Sequence, residues 1–156
     1  MRVSLGDHIG ATLVFIAIAL WSPIAGAADD STCLAMQKAM VEGHFSAGPL
    51  ICSKKDAQLT LAGTTAGSTK YSLYDYRYRF LPPGGQVMHG GQRVLVFRGR
   101  NYIGQYSMSP PPYTTVTVRG PYLVLSKEGA GTVMVDFSMG PPSSIYFDGD
   151  TAPFYR

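Results

Sequence analysis

The stretch Tyr71-Ser-Leu-Tyr-Asp-Tyr-Arg-Tyr-Arg-Phe80 decides how this chain folds. Tyr74, Tyr76, Tyr78 and Phe80 alternate with Leu73, Asp75, Arg77 and Arg79. Successive side chains of a strand point to opposite faces, so a strand separates these two sets, whereas a helix mixes them. Pro82-Pro83-Gly84-Gly85 ends the segment, and Gly90-Gly91 reads as a further turn.

Working outward, the same period recurs. Val94-Leu95-Val96-Phe97 reads as a strand covered on both faces. Strands are expected at Tyr102 to Met108, Tyr113 to Arg119, Tyr122 to Lys127, Thr132 to Ser138, Ser144 to Phe147 and Thr151 to Tyr155. Glycine, proline and asparagine punctuate them. Asp148-Gly149-Asp150 is a hairpin signal between the last two. Short strands at such regular spacing predict a mainly β domain, a small antiparallel β-sandwich or barrel. Alternation alone does not choose between those two. Ahead of the β region, Asp30 or Ser31 can cap a short N-terminal helix through Leu34, Met36, Met40 and Val41 that ends at Gly43.

The first residues read as a leader. Ala11 to Trp21 is an apolar run of signal-peptide length, Ser22-Pro23 breaks it, and Ala25-Gly26-Ala27 supplies small residues for a peptidase. The expected organisation is a signal peptide over residues 1–27 and a single β-rich domain over 28–156. A membrane-spanning helix needs about 20 predominantly apolar residues, more than this run supplies before Ser22-Pro23. The expected location is therefore periplasmic or secreted. Cys33 and Cys52 are the only cysteines, and an even count in an exported chain reads as a disulfide. That bridge would tie the helix to the start of the β region.

Composition narrows the function. Charged residues make up 15% of the chain and the formal net charge is +3, with basic residues scattered along it. Nucleic-acid binding shows as a clustered basic stripe, which is not present. No residue pattern calls for a cofactor. The methionines are dispersed, without a Met-x-x-Met cluster, and read as core fillers; Asp148-Gly149-Asp150 is too short for a calcium loop.

If Val116, Val118, Leu123, Leu125, Val133, Val135, Ile145 and Phe147 face inward, Tyr113, Tyr122 and Tyr146 face the other way, beside Thr115, Thr117 and Arg119. Tyrosine offers large, rigid contact area with a polar tip. The leading reading is thus an exported, non-enzymatic binding or accessory protein of the cell envelope or exterior. It would hold a protein, peptide or glycan on Tyr113, Tyr122 and Tyr146, with Arg77, Arg79 and Arg119 as polar contacts. Two alternatives stand beside it. One is a small extracytoplasmic hydrolase pairing His89 with Asp136 or Asp148. The other is an enzyme inhibitor presenting Pro82 to Gly91 or Ser109 to Pro112 to a foreign cleft.

Overall fold

The computed structural model describes residues 30–45, 50–53, 55–108 and 111–156. The expected leader, residues 1–27, lies outside them, as do Ser109 and Pro110 of the second candidate loop. No helix among the described residues is long and apolar enough to cross a membrane.

Helix α1 (Asp30–Glu42) buries Cys33, Met36 and Met40, which recur on one face. It stops at Glu42, directly before Gly43, as expected. The reversal falls on His44, which takes a left-handed φ of 61°. His44 N–H donates to Val41 O (3.0 Å) and Phe45 N–H to Met40 O (3.0 Å), the two bonds of a Schellman closure. Burial of Phe45 against the same cluster as Met40 fixes the turn at His44, one residue beyond the more permissive glycine.

Among the described residues nine strands follow: β1 (Ala57–Thr64), β2 (Ser72–Phe80), β3 (His89–Arg98), β4 (Asn101–Met108), β5 (Thr115–Arg119), β6 (Tyr122–Lys127), β7 (Gly131–Asp136), β8 (Ser144–Phe147) and β9 (Asp150–Tyr155). They form an antiparallel six-stranded sheet in the order β1-β2-β3-β4-β9-β8 and a separate three-stranded sheet, β5-β6-β7. Two separate sheets make this a sandwich-like arrangement rather than a closed barrel. The expected disulfide joins Cys33 to Cys52.

The large sheet is covered on both faces. Toward α1 it sends Leu59, Tyr76, Leu95, Phe97 and Tyr102 against Cys33, Met36 and Met40. Toward the small sheet it sends Leu73, Val94, Val96 and Tyr106 against Val116, Leu123, Leu125 and Phe137. Val94 to Phe97 are nearly inaccessible, as expected of a strand with both faces covered. Ile145 and Phe147 are buried, and Val118, Val133 and Val135 pack at the edge of that core.

Three local expectations shift. Gly90 and Gly91 lie within β3, opposite Arg79 and Tyr78, so the turn is confined to the preceding loop. β5 begins at Thr115 because Thr114 is held by Gln92: its N–H donates to Gln92 Oε1 (2.8 Å). β7 stops at Asp136, whose carboxylate accepts the Ser138 N–H at 2.7 Å, bending the chain away. The methionines divide: Met36, Met40 and Met108 fill core, whereas Met88, Met134 and Met139 are exposed and fill none.

Candidate binding face

The alternation of β2 brings Arg77 and Arg79 to the same face as Asp75. That face is largely roofed by the segment leading into β5, so Asp75 is buried and must be compensated. Gln92 Nε2 donates to Asp75 Oδ1 at 2.7 Å and to Thr114 O at 2.6 Å. Arg77 Nε donates to Asp75 Oδ2 at 2.9 Å, and Arg77 Nη2 donates to Thr114 O at 3.1 Å. Burial lifts the Asp75 carboxyl above the ordinary aspartate value of 3.8, outweighing the Gln92 hydrogen bond and the Arg77 charge.

This network places Tyr113. The Arg77 guanidinium lies 5.2 Å from its ring centroid, within cation–π range. Its hydroxyl rests on Gly90, where a β-carbon would come within 3.1 Å of it. On the opposite face, Tyr78 lies across Gly91, where a β-carbon would sit 2.5 Å from the ring. Tyr76, Tyr78 and Phe80 stack in a row, with centroids 5.1 and 6.3 Å apart. Arg93 covers the Tyr78 ring at 5.0 Å. The row leads outward along β2 to its end.

An open cleft of about 420 Å³ is lined by Lys55, Asp56, Gln58, Arg77, Arg79 and Tyr113, among others. A second, of about 470 Å³, is lined by Ile51, Lys55, Asp56, Arg79, Phe80, Leu81 and Met88. The two share Lys55, Asp56 and Arg79 and so form one continuous surface, cationic and aromatic at one end and apolar at the other. Asp56 neutralises part of the charge, sitting 4.0 Å from Arg79 Nε, and Arg79 Nη2 donates to Lys55 O at 2.9 Å.

The apolar end continues into the β2–β3 loop. Phe80, Leu81, Val87 and Met88 are 42, 54, 68 and 50% exposed, and no Asp, Glu, Lys or Arg occurs from residue 80 to residue 92. Gly85 N–H donates to Pro82 O at 2.9 Å, closing the turn at the tip. Exposed apolar side chains gathered this way mark interaction surfaces. Sequence reasoning singled out the loop through its Pro-Pro-Gly-Gly run; its apolar character was equally present in Phe80, Leu81, Val87 and Met88.

The six residues expected to share one face are divided. Arg77, Arg79 and Tyr113 meet in the first cleft. Arg119 and Tyr122 are register partners of the β5–β6 hairpin. Tyr146 pairs with Thr151 in the β8–β9 hairpin and is largely exposed there. His89 is the register partner of Phe80 and packs against its ring, tilted by 33° with centroids 5.7 Å apart. Of its two suggested carboxylates, Asp136 accepts from Ser138 and Asp148 is bound to the Lys127 ammonium. Among the described residues no cluster of three or more His, Cys, Asp or Glu side chains could hold a metal ion.

Comparison with known proteins assigns no family. No protein-family model matches the sequence, and no curated protein or solved structure matches it significantly.

Proposed function

We propose that this is an exported, non-enzymatic binding or accessory protein of the cell envelope or exterior. It docks another protein through the β2–β3 loop and the adjoining clefts. The observation that carries this reading is the loop itself: four large apolar side chains stand in solvent on an uncharged tip, continuous with a cleft that ends in Arg77, Arg79 and Tyr113. Interfaces of this type combine an apolar and aromatic centre with arginine and a polar rim. An enzyme inhibitor is the special case in which the partner's receiving groove is catalytic. The hydrolase reading draws less support, because His89 packs against Phe80 and both suggested carboxylates have other partners.

The test uses the full chain, expressed with its own leader. A photo-crosslinking residue replaces Val87 in one version and the exposed Thr117 of β5 in another. A defined adduct with one protein from position 87, absent from position 117, is expected. Leu81→Ser and Met88→Ser, introduced together into the position 87 version, should reduce that adduct at least tenfold, since each buried apolar contact contributes on the order of 1 kcal/mol. The thermal unfolding midpoint should hold, because both side chains are exposed. Indistinguishable adducts from the two positions overturn the proposal.

A further inference from the structure

We propose that β1 accepts an added strand: an extended partner segment, alternating apolar and acidic residues, laid along its open edge between Ala57 and Leu61. This inference rests on the docking reading above and names the form the partner takes beside the loop.

β1 stands at the end of the six-stranded sheet, and an end strand presents unpaired backbone groups to a passing chain. Edges are commonly blunted by charge or proline. The segment Ala57-Gln-Leu-Thr-Leu-Ala-Gly-Thr64 contains neither. Which groups are open follows from the register. Arg79 N–H donates to Asp56 O at 2.8 Å, and Ala57 pairs with Tyr78, Gln58 with Arg77 and Leu59 with Tyr76. Hydrogen-bonded and non-hydrogen-bonded pairs alternate in an antiparallel ladder. Gln58 and Thr60 therefore bond β2, while the backbone groups of Ala57, Leu59 and Leu61 turn outward.

The two ends of this edge are already used. Ala57 N–H donates to Ser53 O at 2.9 Å, and past the bulge between Leu61 and Gly63 the Ala66 N–H donates to Gly120 O at 2.8 Å. Val118 lies over Gly63, where a β-carbon would come within 2.8 Å of Val118 Cβ. Among the described residues the stretch with no outer partner is thus short: the Ala57 carbonyl, the outward groups of Leu59, a residue that keeps 6% exposure, and those of Leu61.

The surroundings select the incoming side chains. Gln58 and Thr60 share their face with Arg77, and the cleft there gathers Lys55, Arg77 and Arg79 against Asp56. With Asp75 counted as the partner of Arg77, cations exceed carboxylates by one. The opposite face carries Ala57, Leu59 and Leu61, and Leu61 remains 38% exposed. An added strand continues both faces, so carboxylates would stand beside Lys55 and Arg79 and apolar residues beside Leu61. Backbone pairing supplies attachment and the alternate side chains supply selectivity, as in other cases of strand addition.

The probe is a fluorescein-labelled hexapeptide of alternating glutamate and valine, titrated into the full-chain protein by anisotropy. Saturable binding is expected, at least tenfold tighter than for the lysine–valine counterpart. Two further hexapeptides carry N-methyl groups on all glutamates or on all valines. Only one set of amides can face β1, so one methylated peptide should lose binding at least tenfold and the other keep it. Leu61→Pro should act likewise, because that N–H points away from β2 and proline is tolerated at such an edge position. Equal effects of the two methylation patterns, or no preference for glutamate, overturn strand addition whether or not the proline variant folds. A dimer at micromolar concentration that Leu61→Pro dissociates overturns it too, since a second copy would then occupy the edge. If the hexapeptides fail while the position 87 adduct persists, strand addition falls and the docking reading stands; loss of both removes both.

Discussion

The Asp75 carboxyl holds its proton to higher pH than a solvated aspartate does, because burial disfavours the charged form more than Gln92 and Arg77 favour it. A group raised in the folded state contributes stability that is complete below its unfolded value and is lost as pH rises through its folded value. For Asp75 the window opens at 3.8 and runs upward, each unit of elevation corresponding to about 1.4 kcal/mol. Asp136 works the opposite way: the Ser138 hydrogen bonds lower its value, so its contribution is present above 3.8 and fades below. The two windows do not overlap. Unfolding by denaturant, followed from pH 3 to pH 7, should therefore show a decline above 3.8 in the wild type that is absent in Asp75→Asn. Parallel curves in that window would sink the assignment. At this scale the sequence was only half legible. The alternation put Asp75 with Arg77 and Arg79 correctly, but Gln92 and Thr114 lie 17 and 39 residues further along, and no local pattern announces that they meet over one carboxylate.

Elements were read more fully than sites because period two is a property of each strand by itself. The interior set of Val116, Leu123, Leu125, Ile145 and Phe147 is buried as the alternation requires. What alternation omits is which strand joins which sheet. β8 and β9 enter the large sheet only through β4, with Gln105 opposite Tyr155 and Tyr106 opposite Phe154. That junction depends on Gly104, which has φ 154°. A β-carbon there would strike the Tyr155 carbonyl oxygen and lie 2.5 Å from the Phe154 ring. A carbonyl in a ladder cannot swing aside as a side-chain end can. Gly104→Ala should thus cost about 2–4 kcal/mol, from overpacking together with an unfavourable backbone angle. The loss should be local. Amide exchange at Ile145 and Ala152, register partners in the β8–β9 hairpin, is expected to accelerate while Val94 and Leu95 remain protected. A uniform change below about 1 kcal/mol would show that β4 and β9 can part without consequence. The same separation explains why the expected tyrosine face divides: Arg119, Tyr122 and Tyr146 sit on hairpins whose placement only the sheet order reveals.

At the scale of the whole molecule the described residues form three layers, α1, the large sheet and the small sheet, and two apolar clusters lie between them. Composition and alternation indicated a β-domain with a helix in front, and Val94-Leu95-Val96-Phe97 of β3 already implied a strand covered on both faces. They did not say that the helix provides one of the covers. The two clusters are joined differently. The one between the sheets draws on every strand from β1 to β9, whereas the one beneath α1 is anchored by a single helix whose covalent hold is Cys33–Cys52, 19 residues apart. Cross-linking a loop of that length is worth about 3 kcal/mol in the chain-entropy description. Cys33→Ala with Cys52→Ala should lower stability by about that amount, plus a smaller loss from Cys33 packing beside Met36 and Met40. The consequence should be graded across the layers. Amides of α1 are expected to exchange first, since the helix is too short to persist unsupported, and Phe97 and Tyr102 beneath it should gain solvent access. β5, β6 and β7 should keep their protection until global unfolding, because Leu123 and Leu125 pack on the far face of the large sheet. If reduction or the double substitution instead left the exchange of α1 unchanged, packing of Met36 and Met40 alone would suffice to hold the helix. If all three layers opened together, the two clusters would be one cooperative unit.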